Sequence, residues 1–156
     1  MTLLMLFIKQ AILAAIPAVG FAMLFHVPAK YLKFCAILGA FGYVCRSALL
    51  QLQLQMPIEW ASLVAAMLIG LIAVYWSRKH LIPRPVMTVA AVIPMVPGSF
   101  AFKTILSLLA LYNHGFDNQL LAEVLENGLK TLFILGALSF GLAVPSIIIY
   151  RNRPIV

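Results

Sequence analysis

The sequence predicts an all-α polytopic integral membrane protein of about five transmembrane helices, at roughly 20 apolar residues per span. Three observations carry that expectation. Of its 156 residues 64% are hydrophobic and 10% are charged, and the mean hydropathy is +1.07. The apolar residues form long runs, separated by short segments rich in charge and proline. The basic residues of those segments alternate from side to side as the positive-inside rule requires. No length remains for a soluble domain, so residues 1–156 are read as one transmembrane domain in a lipid bilayer. A net charge of +7 would point a soluble protein towards nucleic acid; here it orients the chain, and no nucleic-acid partner is expected.

The first span is placed at residues 3–25, interrupted by Lys9 and Gln10 and kinked at Pro17. Ala14, Ala18 and Ala22 recur every four positions, a strip that lets another helix approach closely. The run lacks a basic n-region and a processing site, so it is read as a span and not as a cleaved signal. The segment from His26 to Lys30 ends it. The second span, 31–53, carries Lys33 near the surface, Gly39 and Gly42, and Arg46 within. Gln51, Gln53 and Gln55 are read as a helix end and turn, because a lone polar strand cannot end a membrane span. The third, 57–77, starts at Pro57 and has Glu59 and Trp60 at one interface and Tyr75 and Trp76 at the other. The prolines of the following segment, Arg78 to Pro85, are expected to keep it non-helical. The fourth span, 86–112, contains a break, and the fifth, 119–150, is long enough for Glu123 and Glu126 to stand at or above the surface.

Lys30 and Lys33, then Arg78, Lys79 and Arg84, then Arg151 and Arg153 mark alternate loops and the tail as cytoplasmic. The N-terminus is therefore expected outside and the C-terminus in the cytoplasm.

The break is Ile93-Pro94-Met95-Val96-Pro97-Gly98-Ser99. Pro94 and Pro97 each remove a helical donor and clash with the turn before, and Gly98 permits backbone angles that other residues avoid. Freed backbone groups are tolerated in hydrocarbon only where protein or a wet cavity receives them. A helix restarting at Ser99, with that residue as its cap, would turn its N–H groups and positive dipole end into the membrane interior, where an anion could bind. Such half-helices recur in secondary transporters; the alternative is a proline kink that only shapes packing.

Lys9, Arg46, Lys103 and Lys130 are not explained by loops, and each costs about 2.5 to 3.5 kcal/mol at a helix centre unless it has a partner, a wet cavity or a route to the interface. Lys9 can snorkel outward. Lys130 has Glu126 one turn before it, in the favourable acid-first order, and the two are read as a charge pair. Arg46 and Lys103 have no acidic neighbour in their own helices. Lys103 follows the break by about one turn, so an oxyanion there could meet both dipole and ammonium, while Arg46 could offer a planar fork to a carboxylate. The substrate-binding candidates are thus Pro94, Pro97, Gly98, Ser99, Lys103 and Arg46; the alternative pairs the two cations with acids of a partner protein. Asp117 and Glu123 read as solvated loop and cap residues.

No catalytic motif, phosphate-cradling loop or metal-ligand spacing occurs, so neither an enzyme nor a cofactor is expected. Cys35 and Cys45 lie ten positions apart in one helix, about 15 Å along its axis and too far to bridge. His26, His80 and His114 fall at span ends or loops.

Three stretches carry a resemblance. They are Ala14-Ala15-Ile16-Pro17-Ala18-Val19-Gly20-Phe21-Ala22 with Val27-Pro28, then Val89-Ala90-Ala91-Val92-Ile93-Pro94-Met95-Val96-Pro97-Gly98, and the ending Tyr150-Arg151-Asn152-Arg153-Pro154. In these the chain resembles the bacterial threonine/serine exporter family, in the form of its small five-span half that occurs as a separate subunit. One departure is Phe102, where the family often has a tyrosine. The resemblance implies an inner-membrane location, export of small carboxylates, and a larger YjjP-like membrane subunit as obligatory partner, with room for a higher oligomer. The leading expectation is export of a dicarboxylate such as succinate. Serine or threonine ranks lower, because Glu126 alone stands near enough to receive an ammonium. A non-transporting scaffold and a passive channel are the rivals.

Overall fold

The computed structural model describes residues 3–51, 56–81 and 83–152. Among them every regular element is helical: α1 Leu3–Leu24, α2 Ala29–Gln51, α3 Ile58–His80, α4 Arg84–Val92, a 3-10 turn Ile93–Met95, α5 Gly98–His114 and α6 Asn118–Asn152. Four of these helices are long and apolar enough to cross a membrane, and α4 with α5 would make a fifth, broken span. The all-α polytopic expectation holds. Gln53, Gln55, Arg153 and Pro154 lie outside the described residues.

Several boundaries differ from the sequence expectation. Helix α3 runs through Arg78, Lys79 and His80, which were expected in a loop, and ends where Leu81 takes the left-handed conformation (φ 52°) and donates its N–H to the Ser77 carbonyl. Helix α4 starts at Arg84, with Pro83 at its cap and Pro85 in its first turn. Proline is harmless there, because the first N–H groups of a helix have no intrahelical acceptor. Lys30, expected in the preceding linker, likewise belongs to α2, which carries Lys33 as expected. Pro17 sits inside a continuous α1, and Pro57 caps α3 as expected.

The chain divides into two compact units, Met1–Met95 with Ala137–Val156, and Val96–Gly136. In the first, α1 packs most extensively on α2, which also meets α3 and α4. Its interior is built from small residues. Ala14, Ala18 and Ala22 are buried, as are Ala61, Ala65, Ala66 and Ala73 of α3 and Ala90 and Ala91 of α4. Where lipid replaces water, hydrophobic burial no longer drives helices together, so close van der Waals approach must. Gly39 shows how close: a Cβ there would lie 2.6 Å from Ala18 Cβ. The alanine strip of α1 faces a partner helix, as its spacing predicted.

On α6, a Cβ at Gly141 would stand 2.6 Å from Ala66 Cβ and 2.8 Å from the Leu63 carbonyl oxygen, whereas one at Gly136 would meet nothing within 4 Å. Gly141→Val is therefore expected to destabilise the protein by about 1 to 3 kcal/mol through overpacking. Gly136→Ala, which relieves a helix of glycine, should be neutral or stabilising. Melting of the purified protein in detergent reads both, and equal melting temperatures would overturn the α3–α6 contact.

In the second unit, α5 turns at Gly115 (φ 86°) into α6. The Asp117 carboxylate accepts the Gln119 N–H at 3.1 Å, so this residue is the helix cap its sequence position suggested. Phe102, Ile105, Leu108, Leu109, Leu132 and Phe133 are more than half exposed. A surface of that kind requires lipid or another membrane helix against it.

Candidate functional site

The predicted break is present, but its construction differs from the expectation. After the 3-10 turn at Ile93–Met95, Pro97 adopts φ −80° and ψ 57°, and the Gly98 N–H bonds back to the Val96 carbonyl at 2.9 Å. That is an inverse γ-turn. Helix α5 then begins at Gly98, with Pro97 as its cap residue and no side-chain capping bond. Ser99 is therefore inside the first turn instead of capping it. Proline fixes φ near the value this cap needs, which a serine cap cannot improve. Gly98 has no positive φ, and a Cβ on it would meet nothing within 4 Å, so neither strain nor crowding inside the chain explains a glycine there.

Pro94 and Arg46 belong to the first unit, and Pro97, Gly98, Ser99 and Lys103 to the second. Arg46 is half-buried and donates through Nη1 to the Met95 carbonyl at 2.7 Å, with its guanidinium 5.1 Å from the Tyr43 ring centroid. It satisfies a carbonyl at the turn where the prolines have dismantled the helical ladder. Met95 is fully buried, and a Cβ on Gly42, four residues before Arg46, would lie 3.2 Å from Met95 Sδ. That Cβ would lie closer still to Ile69 Cδ1 and 3.0 Å from Ile69 Cγ1, so the missing side chain of Gly42 makes room for Ile69 first and for Met95 beside it. A guanidinium has five N–H donors, so this bond does not exhaust it.

Lys103 lies in the second unit, exposed, where α5 and the first half of α6 line an open cavity of about 670 Å³. Helical spacing of three and four builds both walls: Phe100, Lys103 and Ser107 on α5 face Glu123, Asn127 and Lys130 on α6, with Glu126 beside them. The pairing of Glu126 with Lys130 is observed, at 2.6 Å, and Lys130 Nζ also lies 5.8 Å from the Phe100 ring centroid. Glu123 is exposed, as its reading as a solvated residue expects, and it also accepts a hydrogen bond from the Ser107 hydroxyl at 3.0 Å. Asn127 donates its side-chain N–H to the Glu123 backbone carbonyl at 2.9 Å. Among the described residues Lys103 has no ion-pair or hydrogen-bond partner.

The cavity therefore offers two ammonium groups, two carboxylates, a hydroxyl and an amide. Ser107, Glu123 and Asn127 were not identified from the sequence. Their signal was available, since Lys103 and Ser107, like Glu123 and Asn127, are four apart on one helix face, but only the fold brings the two faces together. Ser99 does not line this cavity. No cluster of three or more His, Cys, Asp or Glu residues able to hold a metal occurs among the described residues.

A family model described as "Threonine/Serine exporter, ThrE" matches residues 10–148. A Haemophilus influenzae protein described as "Uncharacterized protein" is 46% identical over 143 residues, which cover 92% of this chain and 48% of that protein. The chain thus spans about half the length of that relative. No solved structure matches it.

Proposed function

The chain belongs to the threonine/serine exporter family, and from that premise we propose that it is one membrane subunit of an exporter for small carboxylate-bearing metabolites. The α5–α6 cavity would hold the substrate. What carries this reading is Lys103, an ammonium on the second half of the broken span, lining a polar cavity without a partner among the described residues. A substrate carboxylate would supply the missing counter-charge and a charge-assisted hydrogen bond.

Of the two substrate kinds, a hydroxy amino acid fits the charges better. Glu123 and Glu126 share the cavity with Lys103 and Lys130, so a zwitterion finds an acceptor for its ammonium as well as a donor for its carboxylate. The ranking drawn from sequence reverses, because it counted Glu126 alone. Succinate remains the second reading. It is favoured by the prior engagement of both acids, Glu126 by Lys130 and Glu123 by Ser107, which leaves Lys103 as the unopposed charge.

The partner would be a second membrane subunit, equivalent to the part of the Haemophilus influenzae relative that lies outside the match, about half of that protein. In the bacterial inner membrane, with the N-terminus outside, the basic ends of α2 and α3 would face the cytoplasm.

The test is uptake of labelled serine and succinate into inside-out vesicles containing this chain, the partner, or both. Uptake only with both, greater for serine than for succinate, is the expected result. No uptake of either by an assembled, folded pair would reject transport in favour of a scaffold.

A further inference from the structure

A second cavity lies in the first unit, and it concerns the prolines. A cavity of about 170 Å³ is lined by Gln10, Leu13, Ala14, Pro17, Tyr43 and Pro94. It is thus bounded by α1, α2 and the turn that breaks the fourth span.

Two residues that line this cavity, Gln10 and Leu13, each carry an acceptor short of its usual donor. Gln10 Oε1 is buried and has no hydrogen-bond partner. Pro17 stands inside α1 and has no N–H, so the Leu13 carbonyl, four residues earlier, is deprived of its α-helical donor. Each such group costs about 1 to 3 kcal/mol when buried and unpaired, and hydrocarbon offers no replacement. Tyr43 brings a hydroxyl able to donate and to accept. The lining contains no carboxylate, and the Arg46 guanidinium sits 5.1 Å from the centroid of the Tyr43 ring. That neighbour opposes a metal cation, while a neutral donor is unaffected by it. The volume suffices for several waters at about 30 Å³ each.

We propose that this cavity is a structural water site. Water donates to Gln10 Oε1 and to the Leu13 carbonyl and exchanges a hydrogen bond with the Tyr43 hydroxyl, tying α1 to α2 beside the break. The proline of α1 is then tolerated because water replaces its missing N–H. The site does not depend on the identity of the exported substrate.

Hydroxyl-radical footprinting with rapid mixing from ordinary to oxygen-18 water tests it, on the full chain in lipid nanodiscs. Radicals born from a trapped water mark the residues touching it, and slow exchange shows as delayed incorporation of the heavy isotope. Tyr43 and Pro17 should be marked several-fold more than equally exposed residues of the same type, with exchange slower than in bulk. Gln10→Leu, which keeps the side-chain bulk, should lower that marking several-fold. Pro17→Ala, which returns an N–H to the Leu13 carbonyl, should do the same. Absence of marking in the unaltered protein overturns the proposal without any variant. Marking that survives both substitutions in folded protein, or that changes when sodium replaces choline in the buffer, also overturns it, the latter result assigning the site to a cation.

Discussion

Lys103→Met is expected to lower substrate uptake by about ten- to a hundredfold, the loss of one hydrogen bond to a charged group at roughly 1.5 to 3 kcal/mol. Methionine retains the unbranched stem and removes only the ammonium, and no described group relies on that ammonium. Membrane abundance and melting should therefore stay unchanged, or improve, because a charge that costs about 2.5 to 3.5 kcal/mol at a helix centre is gone. Lys103→Arg should retain part of the activity. Full transport by the methionine variant, normalised to protein in the vesicles, would remove Lys103 from the site. The same measurement on Lys130→Met separates recognition from structure, since Lys130 is already engaged by Glu126 at 2.6 Å.

Arg46→Met is expected to reduce turnover by about ten- to a hundredfold through misplacement of the break, with little change in overall melting. Two terms oppose each other. The buried Met95 carbonyl loses its 2.7 Å donor, at a cost of about 1 to 3 kcal/mol. The removed cation had cost a similar amount to insert, about 2.5 to 3.5 kcal/mol on insertion scales. Global stability thus hides the effect, and local order reveals it. Amide exchange across residues 93–97 should accelerate in the variant while the alanine-rich α1–α2 contact stays protected. If Arg46 instead contacts a substrate carboxylate through its remaining N–H groups, the apparent KM would rise and exchange at the break would not change. The two outcomes distinguish a positioning residue from a ligand.

Much of the architecture was legible because membranes impose strong rules on sequence. The length of the apolar runs recovers the helices, and the alanine strip of α1 announced its own contact. Helix ends were less legible. Arg78 to His80 read as loop because prolines follow, yet proline at the start of the next helix leaves the end of the previous one free. The break was visible in Pro94 and Pro97, since a missing N–H is a property of the residue itself. Its geometry was not, because a serine near a helix start signals a cap only when it stands just before the first helical residue, and Ser99 lies two positions after the Pro97 cap.

The candidate site shows the same division. Glu126 and Lys130 were paired from spacing alone, because four residues along a helix bring side chains together wherever that helix sits. Sequence alone determined that this is an all-helical membrane chain with a proline-broken span and cations within its spans. Those features follow from residue chemistry and from periods of three and four. Only the tertiary structure decided what the cations meet. It gave Arg46 to the Met95 carbonyl, 49 residues away in sequence, and set Ser107 against Glu123, 16 residues away. Contacts across helices depend on rotation and depth of packing, and many rotations of an apolar helix satisfy lipid equally well. Close approach of alanine and glycine surfaces selects among them.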